Sequence, residues 1–240
     1  IRAADGFHLW SQTYDRTLED VFAVQEDIAA NVAETLDVVL NGDKRRMMRD
    51  AGIGNVEAFI AYQKGLEAFE AAHSTDDPGI NLPEANRWFD AALAIVPDIA
   101  NALYLRTDFY GHVIYGHASN IRMASEAELR AALNEIPTSL ERAKRAAHSE
   151  AQRAIFDVEQ TMLSNNWTGI AAKLNAAFVP GDCTPLNWMP TVAAPYGWAA
   201  QVAKHDRNLI RCDPLASLPV MMLGLWEAWN GTPGAALGEL

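Results

Sequence analysis

The spacing of Ala85, Phe89, Ala92 and Pro97 constrains this chain more than any other feature. In the run EANRWFDAALAIVPDIANALY, small and aromatic residues recur at helical steps. A proline then closes the helix, and a new alanine-rich helix begins at once. Small residues let a second helix approach closely, and the aromatic fills the space between the two axes. Helical pairs of this kind stack into solenoids, and solenoids bind partners rather than catalyse.

The rest of the chain fits a helical protein. Its 240 residues allow one large domain or two small ones with ample core. Alanine is the conspicuous apolar residue, and strand signals are scarce. The net charge of −12 repels a phosphate backbone, so nucleic acid is not expected as a partner. That charge reads first as a solubility device and second as a surface for a basic partner. Cys183 and Cys212 make no CxxC motif. They are either two buried thiols or one disulfide, and spacing does not decide between them. No signal peptide and no apolar run long enough to span a bilayer is found, so the expected location is cytoplasmic, or periplasmic if a membrane span lies upstream. Because it begins at Ile1, the sequence is expected to be a fragment or a processed form.

Residues 1–16 read as a short strand-like arm, with a turn at Asp5-Gly6 and alternation through Phe7 and Leu9. One strand needs a sheet partner, so this arm reads as the end of another unit. Residues 17–54 read as a linker helix and hinge. Val21, Val24, Ile28, Val32, Leu36 and Val39 form one apolar stripe, and Thr17 with Asp20 resembles a capping box. Lys44, Arg45, Arg46 and Arg49 follow; they suit a helix C-terminus or a docking patch. Ala51-Gly52-Ile53-Gly54 reads as the hinge.

The run ADGFHLWSQTYDRTLEDVFAVQEDIA resembles a junction found in a group of bacterial regulatory proteins. The matching positions include Gly6, Leu9, Trp10, Ser11, Tyr14, Asp15 and Arg16, then Leu18, Asp20, Phe22, Gln25, Ile28 and Ala29. In that group a TolB-like α/β domain ends at this segment and tetratricopeptide (TPR) repeats follow. Upstream lies either a class III adenylyl/guanylyl cyclase domain or a winged-helix DNA-binding domain. The resemblance implies that residues 1–16 are the C-terminal remnant of the TolB-like domain.

Residues 55–240 then read as a TPR-like array of about four irregular units, each a helical hairpin of about 34 residues, truncated at the carboxyl end. The first unit carries Phe59, Tyr62, Gly65, Leu66 and Phe69, then Ala85, Phe89, Ala92 and Pro97. Residues 73–83, with Asp76-Asp77-Pro78-Gly79, read as an inserted loop. The second unit opens with Ala102 to Leu105 and Tyr110. Residues 111–137 read as an insertion with a helical piece over 126–134. A helix then resumes at Leu140, with Ala143, Ala147, Ala151 and Ala154 on one stripe. Asn166-Trp167 introduces a helix in the third unit. Pro190 and Pro195 break the one between Trp188 and Trp198, and Asp213-Pro214 ends the next. A last half unit spans 218–230, closed by Gly231.

Catalytic motifs are missing from the sequence: no GxxxxGK loop, no GxGxxG, no HExxH and no nucleophile elbow. His112 and His117, five apart, fall on different helix faces and read as core or surface residues. Cys183 reads as a loop residue without catalytic neighbours, and the aspartates make no EF-hand. The 7 tryptophans read mainly as packing, with a ligand or peptide groove most plausible near Trp188 to Trp198. No enzyme activity, metal or cofactor is expected. In TPR domains the first helix of each unit lines the groove. By that resemblance Phe59, Tyr62, Leu66, Asn101, Tyr104 and Asp108 are the candidate protein-binding residues. The expectation is an all-α, TPR-like superhelix with a short N-terminal strand-like arm, acting as a protein-interaction scaffold inside a bacterial regulatory protein. A ligand-sensing module of a class III cyclase and a self-association module are the alternatives.

Overall fold

A computed structural model describes residues 53–164, 166–214 and 216–231. The strand-like arm, the linker helix with its basic cluster, and the segment after Gly231 lie outside the described residues. Among the described residues the fold is all-α.

Helix α1 (Val56–His73) starts at Asn55, whose side chain accepts a hydrogen bond from the Ala58 N–H, 2.9 Å. It packs along α2 (Pro78–Ile95) through the opening spacing: Ala85, Phe89 and Ala92 are fully buried. Gly65 on α1 faces the Phe89 ring. A Cβ there would lie 2.5 Å from two ring carbons, so the helices reach this separation only because Gly65 lacks one. Tyr62 and Phe69 flank the same ring at centroid distances of 6.0 and 6.4 Å.

The supposed loop over 73–83 is a correction. Only residues 74–77 connect α1 to α2. Asp77 is the N-cap, accepting from the Gly79 N–H at 3.0 Å, and Pro78 takes the first helical position, where its missing N–H costs nothing. Pro83 sits one turn in, within the helix.

Helix α3 (Ala100–Leu105) and helix α4 (Thr107–Ala118) are one run interrupted at Arg106. There the Asn86 side chain donates to the Arg106 carbonyl, 3.0 Å, and the Thr107 hydroxyl donates to the Tyr104 carbonyl, 2.7 Å. Side chains that take helix carbonyls in this way kink the ladder.

The insertion over 111–137 is a second correction. Residues 119–125 are the only break, and helix α5 (Glu126–Ala146) continues through Pro137. A capping box of Ser125 and Glu128 starts α5, and its buried face of Ala132, Ile136, Leu140 and Ala143 holds it past the proline. The supposed alanine stripe belongs to two helices. Ala143 is on α5, Ala147 is its C-cap, and Ala151 and Ala154 lie on α6 (Glu150–Met162).

Helix α7 (Ile170–Ala177) follows Gly169, which takes the left-handed φ of 75°. Asp157 on α6 ties α5 to α7 through Lys144 at 3.2 Å and Lys173 at 2.8 Å. The Trp188–Trp198 stretch is broken as the prolines predict. It forms α8 (Met189–Ala193), a 3₁₀ turn (Ala194–Tyr196), and Gly197 at φ 94°. Helix α9 (Ala199–Cys212) ends at Asp213, and α10 (Ser217–Trp229) ends at Asn230 and Gly231.

The helices share a continuous core, and the last described helix comes back to the first. The N–H and hydroxyl of Ser217, at the start of α10, both donate to Glu70 Oε2 on α1 at 2.9 Å. Cys183 and Cys212 are paired, their Cα atoms 6.1 Å apart, so the loop after α7 is tied to the end of α9. No helix among the described residues is long and apolar enough to cross a membrane.

Candidate functional site

The return of α10 to α1 encloses an apolar groove of about 740 Å³. That lies within the ~300–1,000 Å³ range of small-ligand pockets. One wall is α1, presenting Phe59, Tyr62 and Leu66; Asn101 and Asp108 come from α3 and α4. The opposite wall is the loop into α8, carrying Leu186 and Trp188, with Met222 and Trp226 of α10 beyond it. Five of the six sequence-selected residues, Phe59, Tyr62, Leu66, Asn101 and Asp108, thus face one space. The sixth, Tyr104, does not. It is fully buried and belongs to the support of the opposite wall.

That support is a polar network. Tyr104 donates its hydroxyl hydrogen to Glu159 Oε2 at 3.2 Å and accepts the Asn187 N–H at 2.9 Å. Glu159, 1% exposed, also accepts the N–H groups of Trp188 (3.2 Å) and Met189 (2.9 Å). Burial pushes the Glu159 carboxyl up to about 7, against the lowering effect of those hydrogen bonds. Asn187 closes the network by donating to the Tyr104 carbonyl, 3.0 Å. The segment is fixed by these bonds, of which the two to Glu159 Oε2, from Tyr104 and Met189, are fully buried.

The network holds the Trp188 indole against His112, centroid distance 4.8 Å, and Tyr115, 5.6 Å. Gly111 makes the seat: a Cβ at that position would overlap the indole ring. At the far end of the groove the Trp226 indole N–H donates to Asp206 at 2.7 Å, and burial raises the Asp206 carboxyl to about 7.

Where α1 ends against α4, three potential electron-pair donors converge. His73 Nε2 lies 3.1 Å from Asp108 Oδ2, and His112 Nε2 lies 3.8 Å from the same oxygen. The three ligand atoms are all within 4.8 Å of one another. Asp108 is 3% exposed, and its Oδ2 lies within reach of both imidazoles. His73 Nδ1 is fixed by the Phe69 carbonyl, 2.8 Å away. Burial opposes protonation of His73, but the hydrogen bond and charge of Asp108 outweigh it and hold its pKa above the ordinary value. His112 goes the other way: burial lowers it, against the pull of Asp108.

The sequence places His112 and His117 on different helix faces, as core or surface residues, and names no metal ligand. His117 in fact caps a turn, accepting the Ala124 N–H at Nδ1, 3.3 Å. The one available signal was the spacing of Asp108 and His112, four apart and so on one helical face. His73, from another helix, was out of reach of any spacing rule.

Among the described residues these features define an all-α protein with an apolar groove. A 102-residue stretch is 30% identical to the protein of Rhizobium meliloti (strain 1021) named "Putative adenylate cyclase 3". The match covers 42% of this chain and 16% of that protein, so the chain corresponds to a small part of it. No family model matches the chain. No solved structure gives a significant match.

Proposed function

We propose that this chain is a non-catalytic binding module of a cyclase-type bacterial regulatory protein, a TPR-like superhelix whose groove accepts a peptide segment of a protein partner. The observation that carries this reading is the shared position of Phe59, Tyr62, Leu66, Asn101 and Asp108. Chosen by repeat register, they line one groove. Apolar and aromatic walls with a few polar groups suit a peptide with apolar anchors. The similarity to an adenylate cyclase supports the kind of parent protein. In this reading residues 1–16 end a TolB-like domain, residues 17–54 link it to the array, and residues 55–240 are the array. No reaction is assigned to the segment, and its setting is cytoplasmic, or periplasmic below an upstream membrane span.

The test is selection from a peptide library on the full chain, followed by affinity measurement on Phe59→Ala with Leu66→Glu. Both side chains are only partly buried, so the variant should fold. Peptides that bind the wild type and lose at least about tenfold affinity in the variant support the groove, since buried anchors of this size contribute ~2 kcal/mol or more. Peptides bound equally by both place the interface elsewhere.

One observation favours a second reading. The Ser217–Glu70 contact closes the groove toward a pocket, which suits a small ligand sensed on behalf of an attached cyclase. A metabolite screen by thermal shift tests it, since a ligand that binds only the folded state must raise the melting temperature. Self-association, the third reading, is rejected if light scattering shows a monomer across a concentration series.

A further inference from the structure

We propose that His73, Asp108 and His112 form a binding site for a zinc-type divalent transition metal, with an open coordination position toward the groove. The inference is independent of which molecule fills the groove.

The geometry begins with His73. A carbonyl oxygen can only accept, so the ring nitrogen at 2.8 Å from the Phe69 carbonyl is the N–H donor. In the neutral ring this leaves a lone pair on Nε2. That lone pair lies 3.1 Å from the buried carboxylate oxygen of Asp108. Two electron-pair donors held this close in a shielded place need a positive centre between them. A proton shared as a hydrogen bond can be that centre, and so can a metal ion. His112 Nε2, 3.8 Å from the same oxygen, adds a third donor.

A single cation satisfies all three. With metal–nitrogen and metal–oxygen distances of about 2.0–2.2 Å, tetrahedral ligand atoms lie roughly 3.3–3.5 Å apart. The observed 3.1 and 3.8 Å bracket that spacing, and the widest pair, within 4.8 Å, closes by small imidazole rotations. The donor set of two imidazoles and a carboxylate suits zinc and its neighbours; magnesium and calcium prefer all-oxygen sites. The Phe69 carbonyl does what outer partners of metal-bound histidines do: it fixes the ring and the tautomer. All three residues line the groove, so a fourth ligand would come from water or from a groove-bound molecule.

The test uses the full chain, stripped with a chelator and titrated with zinc chloride by calorimetry, then with cobalt(II) for its visible d–d bands. The expected result is one equivalent of zinc and the absorption of a four- or five-coordinate cobalt. His73→Ala and His112→Ala should each weaken zinc binding at least tenfold, while His117→Ala, outside the cluster, should bind as the wild type does. Absence of stoichiometric zinc uptake by the wild type overturns the proposal. So does uptake unchanged in both cluster variants with helical circular dichroism intact. Where an alanine variant loses that signal, His112→Gln is read in its place against the same tenfold criterion.

Discussion

The α1–α2 hairpin and the α8–α10 region solve the same packing problem differently. The hairpin relies on shape: Gly65 and alanines let two long helices close over Phe89, and the interface holds together by apolar contact. The α8–α10 region has proline breaks, a short helix and a 3₁₀ turn before the paired helices α9 and α10. It is held by buried hydrogen bonds to Glu159, by the Asp206–Trp226 contact and by a disulfide. Regular packing tolerates no change of volume, while the irregular half depends on charge state and redox state. The groove lies between them and takes one wall from each.

Phe89→Ala should strike the shape-based half hardest. It removes a fully buried ring touched by Tyr62, Phe69 and Gly65, and should cost about 3–5 kcal/mol in chemical denaturation. A cost under about 1 kcal/mol would mean that the hairpin does not depend on this contact. Replacing Cys183 and Cys212 by serine should cost about 2–4 kcal/mol, concentrated in the α8–α10 region. Hydrogen exchange should show faster opening there and unchanged protection in α1 and α2. The wild type treated with reductant should match the serine variant.

The Asp206 carboxyl gives the comparison a pH axis. Its folded pKa, about 7, is above the ordinary value of 3.8, so the folded state holds the proton more tightly. The stabilisation is complete below about pH 4 and is lost as pH rises through about 7, at no more than ~1.4 kcal/mol per pH unit. Asp206→Asn keeps an acceptor for the Trp226 indole and should reduce the slope of the stability profile between those limits, leaving the share of Glu159, as measured by melting temperature across pH. An unchanged slope would assign the dependence to other groups. The smallest effect belongs to Ser217→Ala. It removes one exposed hydroxyl bond to Glu70 and should cost under about 1 kcal/mol, read as faster exchange at the start of α10.

Much of the first region was legible because its determinants are local. Ala85, Phe89 and Ala92 share one helical face, and all three are buried. The break at Pro190 and Pro195 and the stop at Asp213 follow from backbone chemistry alone. The errors came from punctuation read without context. Asp77-Pro78-Gly79 looks like a turn, yet the same residues make a good helix start. Pro137 looks like a break, yet the buried face of α5 outweighs one lost hydrogen bond. Tyr104 was chosen by register as a groove residue, but its hydroxyl reaches Glu159 and Asn187 instead. Whether the cysteines pair, and that His73 meets Asp108, depends on residues 29 and 35 apart, which no periodicity brings together.

The clasp between Ser217 and Glu70 spans 147 residues of chain. Each hairpin can form early from local contacts, whereas this closure must wait until the intervening chain has ordered. The groove therefore depends on a contact of high sequence separation. A chain ending at residue 177 would retain the sequence of α1 to α7 and still have no groove, because the loop into α8 and α10 would be absent.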